Sequence, residues 1–522
     1  MATPYLDDAL APPTEQFARG TDVWLEQQIW GHRFYNDQTP WFVVLEALGI
    51  MSFRRTDRNH DRIFDGLEGN RHERFPYKLP TRRELRTILF KDRHIEEIAD
   101  SDEYGSNATR WAKWFERLGA GAEAKFGYLQ DRFTSFAAFR NAVVLLRSAE
   151  IESGRKRRAT SRHLAPRGPD MLAADFGEKK SDRADKDRRF FSRGGELLYL
   201  MLNRSAFREQ LEPLIVERLL TEQSRWNALA KVMQPNEQEE PLEFDIGYLP
   251  LPSHKAYDRI AEDWLNVLSL KELPDDNLPE PLMRLTGFGI VRYMIERAAD
   301  VLGTPDDQIP PLPLDMVSTA TVGVKRISQD CYRRHRDMTR RAIEKLIEDF
   351  EASEEWKNAL SQPQPARAAN DLVEQRFGFT WSDADVRPEP EKYPAHIAKE
   401  ALEDHDQHLG RVIGYYVDQI GLAVAVRGAG RWYAASDGML EALVLANVKE
   451  PLEFETFLAK LWDRYGIVVG SEVGRVAFKD ANYGHFKANQ RLLEERLRVL
   501  GLVHRLSDDC AFVHNPFHEI SR

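Results

Sequence analysis

The 522-residue sequence has very little cysteine. Cys331 and Cys510 are the two, far apart and outside any CxxC spacing, which excludes a disulfide framework and a cysteine zinc site and fits a reducing compartment. Long apolar runs are also missing. The longest, Ile420 to Val426, falls far short of the roughly 20 residues a bilayer-spanning helix needs. Met1 to Gln16 carry Asp7, Asp8 and prolines instead of a basic start and an apolar stretch, so no secretory signal is expected, no membrane is expected as a partner, and the expected location is cytoplasmic. The phosphate loop GxxxxGK[ST], the GxSxG elbow, GxGxxG after a strand and the kinase motif set are all absent, which argues against an ATPase, an α/β-hydrolase or a Rossmann enzyme. Excess positive charge is lacking too. A net charge of -11 and a pI near 5.8 exclude a uniformly basic nucleic-acid coat, so any such contact must be a local patch.

Apolar and aromatic residues, by contrast, are plentiful: 42% and 10% of the chain, with 11 Trp and 27 Phe, enough to bury several interiors. The length exceeds one hydrophobic core and suggests roughly three or four domains. Apolar positions recur at helical spacing through Trp24, Leu25, Gln28 and Ile29, then Trp41, Val44, Leu45 and Leu48, then Trp111, Trp114, Phe115 and Leu118. The fold class expected is therefore mainly α, a multidomain helical protein. Residues 1–150 are read as an N-terminal helical domain and 151–188 as a charged, mobile loop. Residues 189–360 form a second helical domain, 370–430 a helix plus a short hairpin around Gly428-Ala429-Gly430, and 431–522 a separate C-terminal module.

That module reads as helix, helix, helix and hairpin. Apolar helices follow Asp437 and Pro451, a third runs from about His485 to Leu500 with Gly501 as its C-cap, and Leu502–Leu506 with Cys510–His514 look like paired strands. This is the order of a winged-helix-like α+β domain. On the third helix Phe486, Leu493, Leu497 and Leu500 share a side, leaving Lys487, Asn489, Arg491 and Arg498 as its exposed set, in the position of a recognition helix. Against DNA contact stands the balance over 431–522, with 12 Lys and Arg and 13 Asp and Glu.

Two further basic segments are candidates for nucleic acid. Arg155, Lys156, Arg157 and Arg158 open a stretch, 153–168, with a local net charge of +6. Arg333, Arg336 and Arg340 share a face of the helix around Cys331, although Glu344, Glu348 and Asp349 follow as potential acid partners. For catalysis, Pro169-Asp170 followed by Glu178 and Lys180 has the order of a PD-ExK nuclease, in which two carboxylates hold a divalent metal and a lysine assists the attacking water. Such a site needs adjacent strands, and the sequence after Ala173 has almost no strand character. Asp57, Asn59, Asp61, Asp65 and Glu68 follow the ligand spacing of a calcium loop, but Arg62 occupies its glycine position. His405 and His408, with His396 further back, could share a metal only with a third ligand that the spacing does not supply. Neither a metal site nor a cofactor is expected.

Three phrases, Gly31-His32-Arg33-Phe34 through Gln38-Thr39-Pro40-Trp41, Phe191-Ser192-Arg193-Gly194-Gly195-Glu196-Leu197-Leu198-Tyr199-Leu200, and Leu506 to Phe517, resemble accessory proteins of bacterial anti-phage defence gene clusters. The resemblance implies a biological context and transfers no site. Together with the missing catalytic motifs, it makes the expected function that of a non-catalytic subunit of a prokaryotic antiviral defence or DNA-processing complex. Such a subunit contacts other subunits of the complex and DNA. The alternatives are a metal-dependent nuclease of PD-ExK type and a protein-only scaffold or transcription-regulator-like protein.

Overall fold

The computed structural model describes residues 9–11, 24–32, 34, 38–57, 62–65, 75–152, 162–174, 191–237, 239–381, 387–479, 481–507 and 510–518. The chain is mainly helical, 63% helix against 8% strand. Among the described residues no helix is long and apolar enough to cross a membrane.

The main core starts at α1 (Leu25–Trp30) and α2 (Pro40–Asp57), beside the short strand β1 (Pro76–Leu79). A second core is built by α3 (Asn107–Leu118) and α4 (Phe136–Arg147). Ser106 and Ser135 cap these two helices by accepting from the backbone N–H of Thr109 and Ala138, so each begins where an oxygen side chain meets an orphan donor. Their buried faces bring Trp111 edge-on to Phe136 at 4.9 Å, with Trp114 and Phe139 alongside. Strands β2 (Glu150–Glu152) and β3 (Arg162–Leu164) pair antiparallel behind them.

α5 (Gly194–Arg204) returns the chain to the main core, where β4 (Leu242–Asp245) pairs with β1. α6 (Lys255–Leu268) and α7 (Pro279–Leu302) follow. α7 is buried almost continuously from Pro279 to Ala299, as a helix enclosed on every side must be. After the two-residue strand β5 (Leu312–Pro313) comes α8 (Val322–Ala352), 31 residues long and so about 46 Å from end to end. α9 (Tyr393–Gln407) packs on it, and so does the hairpin of β6 (Ala423–Val426) and β7 (Gly430–Tyr433). The hairpin is fixed to α8 by polar contacts: Tyr433 N–H donates to Ser328 Oγ at 2.8 Å, and the Tyr433 hydroxyl meets His335 Nδ1 at 2.7 Å. His335 Nε2 lies 2.6 Å from the Pro310 carbonyl, and burial drives its pKa down to about 3, so this imidazole is neutral.

The C-terminal module runs α10 (Asp437–Asn447), β8 (Leu452–Glu453), α11 (Phe454–Tyr465), β9 (Ile467–Val468), α12 (Ser471–Ala477), α13 (Tyr483–Val499), β10 (Val503–Ser507) and β11 (Cys510–Val513). Its sheet has the order β10-β11-β8, all antiparallel. β9 pairs instead with β5, in parallel, Leu312 opposite Ile467 and Pro313 opposite Val468. Asn489 corrects the expectation of an exposed side chain. It is fully buried on α13, donating to the carbonyls of Leu314 (2.7 Å) and Val469 (3.2 Å) and accepting from Met316 N–H at 2.8 Å. A primary amide can satisfy backbone donors and acceptors at once, which an apolar residue at that point could not.

Candidate functional site

The outer face of α13 forms one wall of a groove of about 640 Å³, closed by β8, the start of α11 and β10. Four cationic side chains line it, Lys487, Arg491, Arg498 and Arg505, and four carboxylates, Glu453, Glu455, Glu494 and Glu495. Arg498 Nη2 is 2.6 Å from Glu495, Arg505 Nε is 3.8 Å from Glu494, and Gln490 donates to Glu455. Burial raises the Glu455 carboxyl, against the hydrogen bond from Gln490 and with the nearby charges of Glu472 and Glu494. Lys487 and Arg491 stand exposed without an ion-pair partner among the described residues. The three expected cations of this helix therefore share one groove, and with Arg505 of β10 they are matched there by four acids.

On α8, Arg333 and Arg336 are exposed and Arg340 is half-buried. Arg333 pairs with Asp330 at 3.2 Å, and Arg340 is held between Glu344 at 3.3 Å and Asp406 of α9 at 2.8 Å. Arg336 has no such partner among the described residues. The Cys331 thiol beside them is buried and pushed up to about 12, which removes it as a nucleophile. Arg155, Lys156, Arg157 and Arg158, between β2 and β3 in the sequence, lie outside the described residues, and so do Glu178 and Lys180 further along the chain.

Asp170 is described, and it sits on a single 3-10 turn, Pro169–Met171, rather than on a strand. Its carboxylate takes Arg82 Nη1 at 3.3 Å and Asn227 Nδ2 at 3.0 Å, while its own N–H donates to Asn227 Oδ1 at 2.7 Å. Arg82 also donates to the carbonyls of Pro169 and Leu172, so Asp170 works here as part of a brace around a tight turn. Of the calcium-loop positions, Asp57 ends α2 and Asp65 is bound by Arg54; Asn59, Asp61 and Glu68 lie outside the described residues. The three imidazoles diverge. His405 is buried between Glu26 (2.7 Å) and Thr339 (3.1 Å), His396 meets Glu400 at 2.9 Å, and His408 lies 3.8 Å from Asp404. Among the described residues no group of three or more His, Cys, Asp or Glu is placed to hold a metal ion.

Two centres of buried charge were not foreseen from the sequence. In the first, α2 presents Glu46 to the start of α5, where Gly194 N–H donates to Gln38 Oε1 (2.9 Å), Gly195 N–H donates to Glu46 Oε2 (2.8 Å) and Gln38 Nε2 donates to the same oxygen (2.8 Å). Glu196, with no exposure, accepts from the Tyr77 hydroxyl and from Arg193 Nε, each at 2.7 Å. Burial and then the charge of Glu196 raise the Glu46 carboxyl to about 7, against hydrogen bonds from Gln38 and Gly195. Arg193 holds a left-handed backbone, φ 69°, that aims its guanidinium back at Glu196. In the second centre, Arg464 of α11 bridges Glu262 at 2.7 Å and Asp263 at 2.8 Å on α6, and Tyr465 donates to Asp263 at 2.7 Å. Nearby, burial alone would raise Glu296, but Arg292 and Arg259 outweigh it and hold that carboxyl at about 2. Both centres are enclosed and join one helix to another. The first falls on the phrase Ser192-Arg193-Gly194-Gly195-Glu196, where paired glycines ahead of an acid in an apolar helix were the available signal.

No protein-family model, curated protein or solved structure matches this chain.

Proposed function

We propose that this chain is a non-catalytic subunit of a prokaryotic antiviral defence or DNA-processing assembly, and that its C-terminal module docks a partner protein. A winged-helix-like reading of the module is supported by its order of helix, strand, helices and hairpin and by a sheet in which the first strand, β8, lies beside the last, β11. The observation that carries the reading is the equal charge in the α13 groove, four cations with four acids. A helix that enters a DNA groove faces phosphates from both strands, and Glu494 and Glu495 among the arginines would repel them. A protein surface tolerates that mixture, since alternating charges across an interface set register and select the partner.

The test is a charge swap. The double variant Lys487→Glu, Arg491→Glu is expected to lose the partner subunit when the assembly is purified, and reversal of the facing acids on the partner should restore it. Duplex DNA binding by the same variant should match the parent. If the swap leaves the assembly intact and lowers DNA affinity instead, the reading fails.

A further inference from the structure

We infer that the N-terminal half of α8 and the adjoining β6–β7 turn form a contact surface for the sugar-phosphate backbone of duplex nucleic acid, separate from the α13 groove. Residues 325–341 carry Lys325 and six arginines against Asp330 and Asp337, a net of +5 within a chain of net -11. Burial orients that charge. Tyr332, His335 and Met338 turn inward, while Arg326, Arg333, Arg334 and Arg336 are exposed. Asp330 engages Arg333; Arg326, Arg334 and Arg336 have no acid partner among the described residues. The patch ends where α9 begins to neutralise it, at the Arg340–Asp406 pair.

The hairpin adds to the same surface. Gln329 Nε2 donates to the Ala429 carbonyl, which draws the turn Arg427-Gly428-Ala429-Gly430 against the exposed side of α8. Arg427 is exposed there, and Gly428 and Gly430 take φ of +81° and +80°, so the turn is narrow and carries no bulk that would keep a backbone away. Ser328, Gln329 and His335 tie the hairpin to the helix, so its arginine is presented in a fixed position.

The occupant follows from what this surface offers. Arg326 to Arg336 span about 15 Å of helix, the length of several phosphates along one strand. Stacking groups are withheld: Trp432 is 2% exposed beneath Lys325, whose Nζ lies 4.2 Å from its ring, and Tyr332 and Tyr433 are buried. Single strands are gripped largely by bases stacked on aromatic rings, so a surface of guanidiniums alone suits a duplex backbone. Gln329, the side chain best suited to read a base edge, is already bound to Ala429, so the contact is expected to be indifferent to sequence.

The experiment measures affinity of the full chain for a labelled random-sequence DNA duplex and for the matching single strand across a salt series. The parent should bind the duplex more tightly, with log K falling linearly in log salt. Arg326→Gln, Arg333→Gln, Arg336→Gln and Arg427→Gln combined should make that slope shallower by about 3 to 4 and weaken binding at least about tenfold near 0.1 M salt. The four corresponding Arg→Lys changes should keep the slope, since phosphate contact needs the charge. All four positions are exposed, and an unchanged melting temperature reports that the fold is intact. Absence of duplex binding at low salt, an unchanged slope in the glutamine variant, or tighter binding of the single strand each overturns the inference. Lys487→Glu with Arg491→Glu should leave the duplex slope untouched, so failure here and failure of partner docking are read separately.

Discussion

Gly195 donates its backbone N–H to Glu46 Oε2 at 2.8 Å, at a point where a Cβ on Gly195 would stand 2.4 Å from the Glu46 Cβ. The first turn of α5 thus lies directly on α2, and the orphan donors at the helix start are satisfied by α2 and its approach rather than by a cap of their own. A methyl group there must push two buried helices apart. Gly195→Ala is expected to cost about 1 to 3 kcal/mol in chemical denaturation. Gly105→Ala, where an added Cβ meets nothing within 4 Å, should be close to neutral and serves as the control.

Glu46 also makes stability depend on pH. Its carboxyl is raised from 4.5 to about 7, so between these values the native state holds a proton that the unfolded chain has released. Its favourable contribution is complete below about pH 4.5 and is lost as pH rises through about 7. Subtracting the stability curve of Glu46→Gln from that of the parent should show a fall across this window, on the order of 3 kcal/mol at about 1.4 kcal/mol per pH unit. A difference curve flat in pH would remove Glu46 as the titrating group.

Arg464 bridges Glu262 and Asp263, and Asp263 is 1% exposed. Burial raises the Asp263 carboxyl to about 6, with Arg464 opposing. Arg464→Ala strands that acid in the interior and is expected to cost about 3 to 5 kcal/mol. Adding Asp263→Asn should recover part of the loss, which a double-mutant cycle in denaturant measures.

Val317 is a β-branched residue at φ +55°, 54% exposed. Its backbone N–H hydrogen-bonds Asp315, whose carboxylate also accepts from Trp432 Nε1 at 3.0 Å, so the turn is held by its neighbours against the preference of the valine. Asparagine accepts a left-handed backbone far more readily, and Val317→Asn should raise stability by about 1 kcal/mol. A lower melting temperature would show that the valine methyls contribute more than the strain costs.

Much of this architecture was legible because its signals are local. The i, i+3, i+4 spacing of Trp111, Trp114 and Phe115 gave α3, and paired apolar runs around a polar turn gave β10 and β11. The buried charges were not legible, because a Glu or Arg within an apolar helix reads as solvent-facing until its partner, 149 residues away for Glu46 and Gly195, is known. Asn489 failed in the same way: its three partners lie on segments far apart in sequence. The basic segments were visible as composition, but only the neighbouring elements separate them, acids interleaved along α13 and a glycine turn beside α8.

The parallel pairing of β5 with β9, reinforced by Asn489, means that the C-terminal module is sewn through a segment more than a hundred residues upstream. A fragment beginning near residue 430 would lose the strand beside Ile467, two of the three backbone groups that satisfy Asn489, those of Leu314 and Met316, and the acids that hold Arg464. Released by a protease or expressed alone, it should aggregate or melt early, whereas the intact chain should resist cleavage between α9 and α10. A pull on α13 by a bound subunit would therefore be felt at Leu312, and through it at the start of α8.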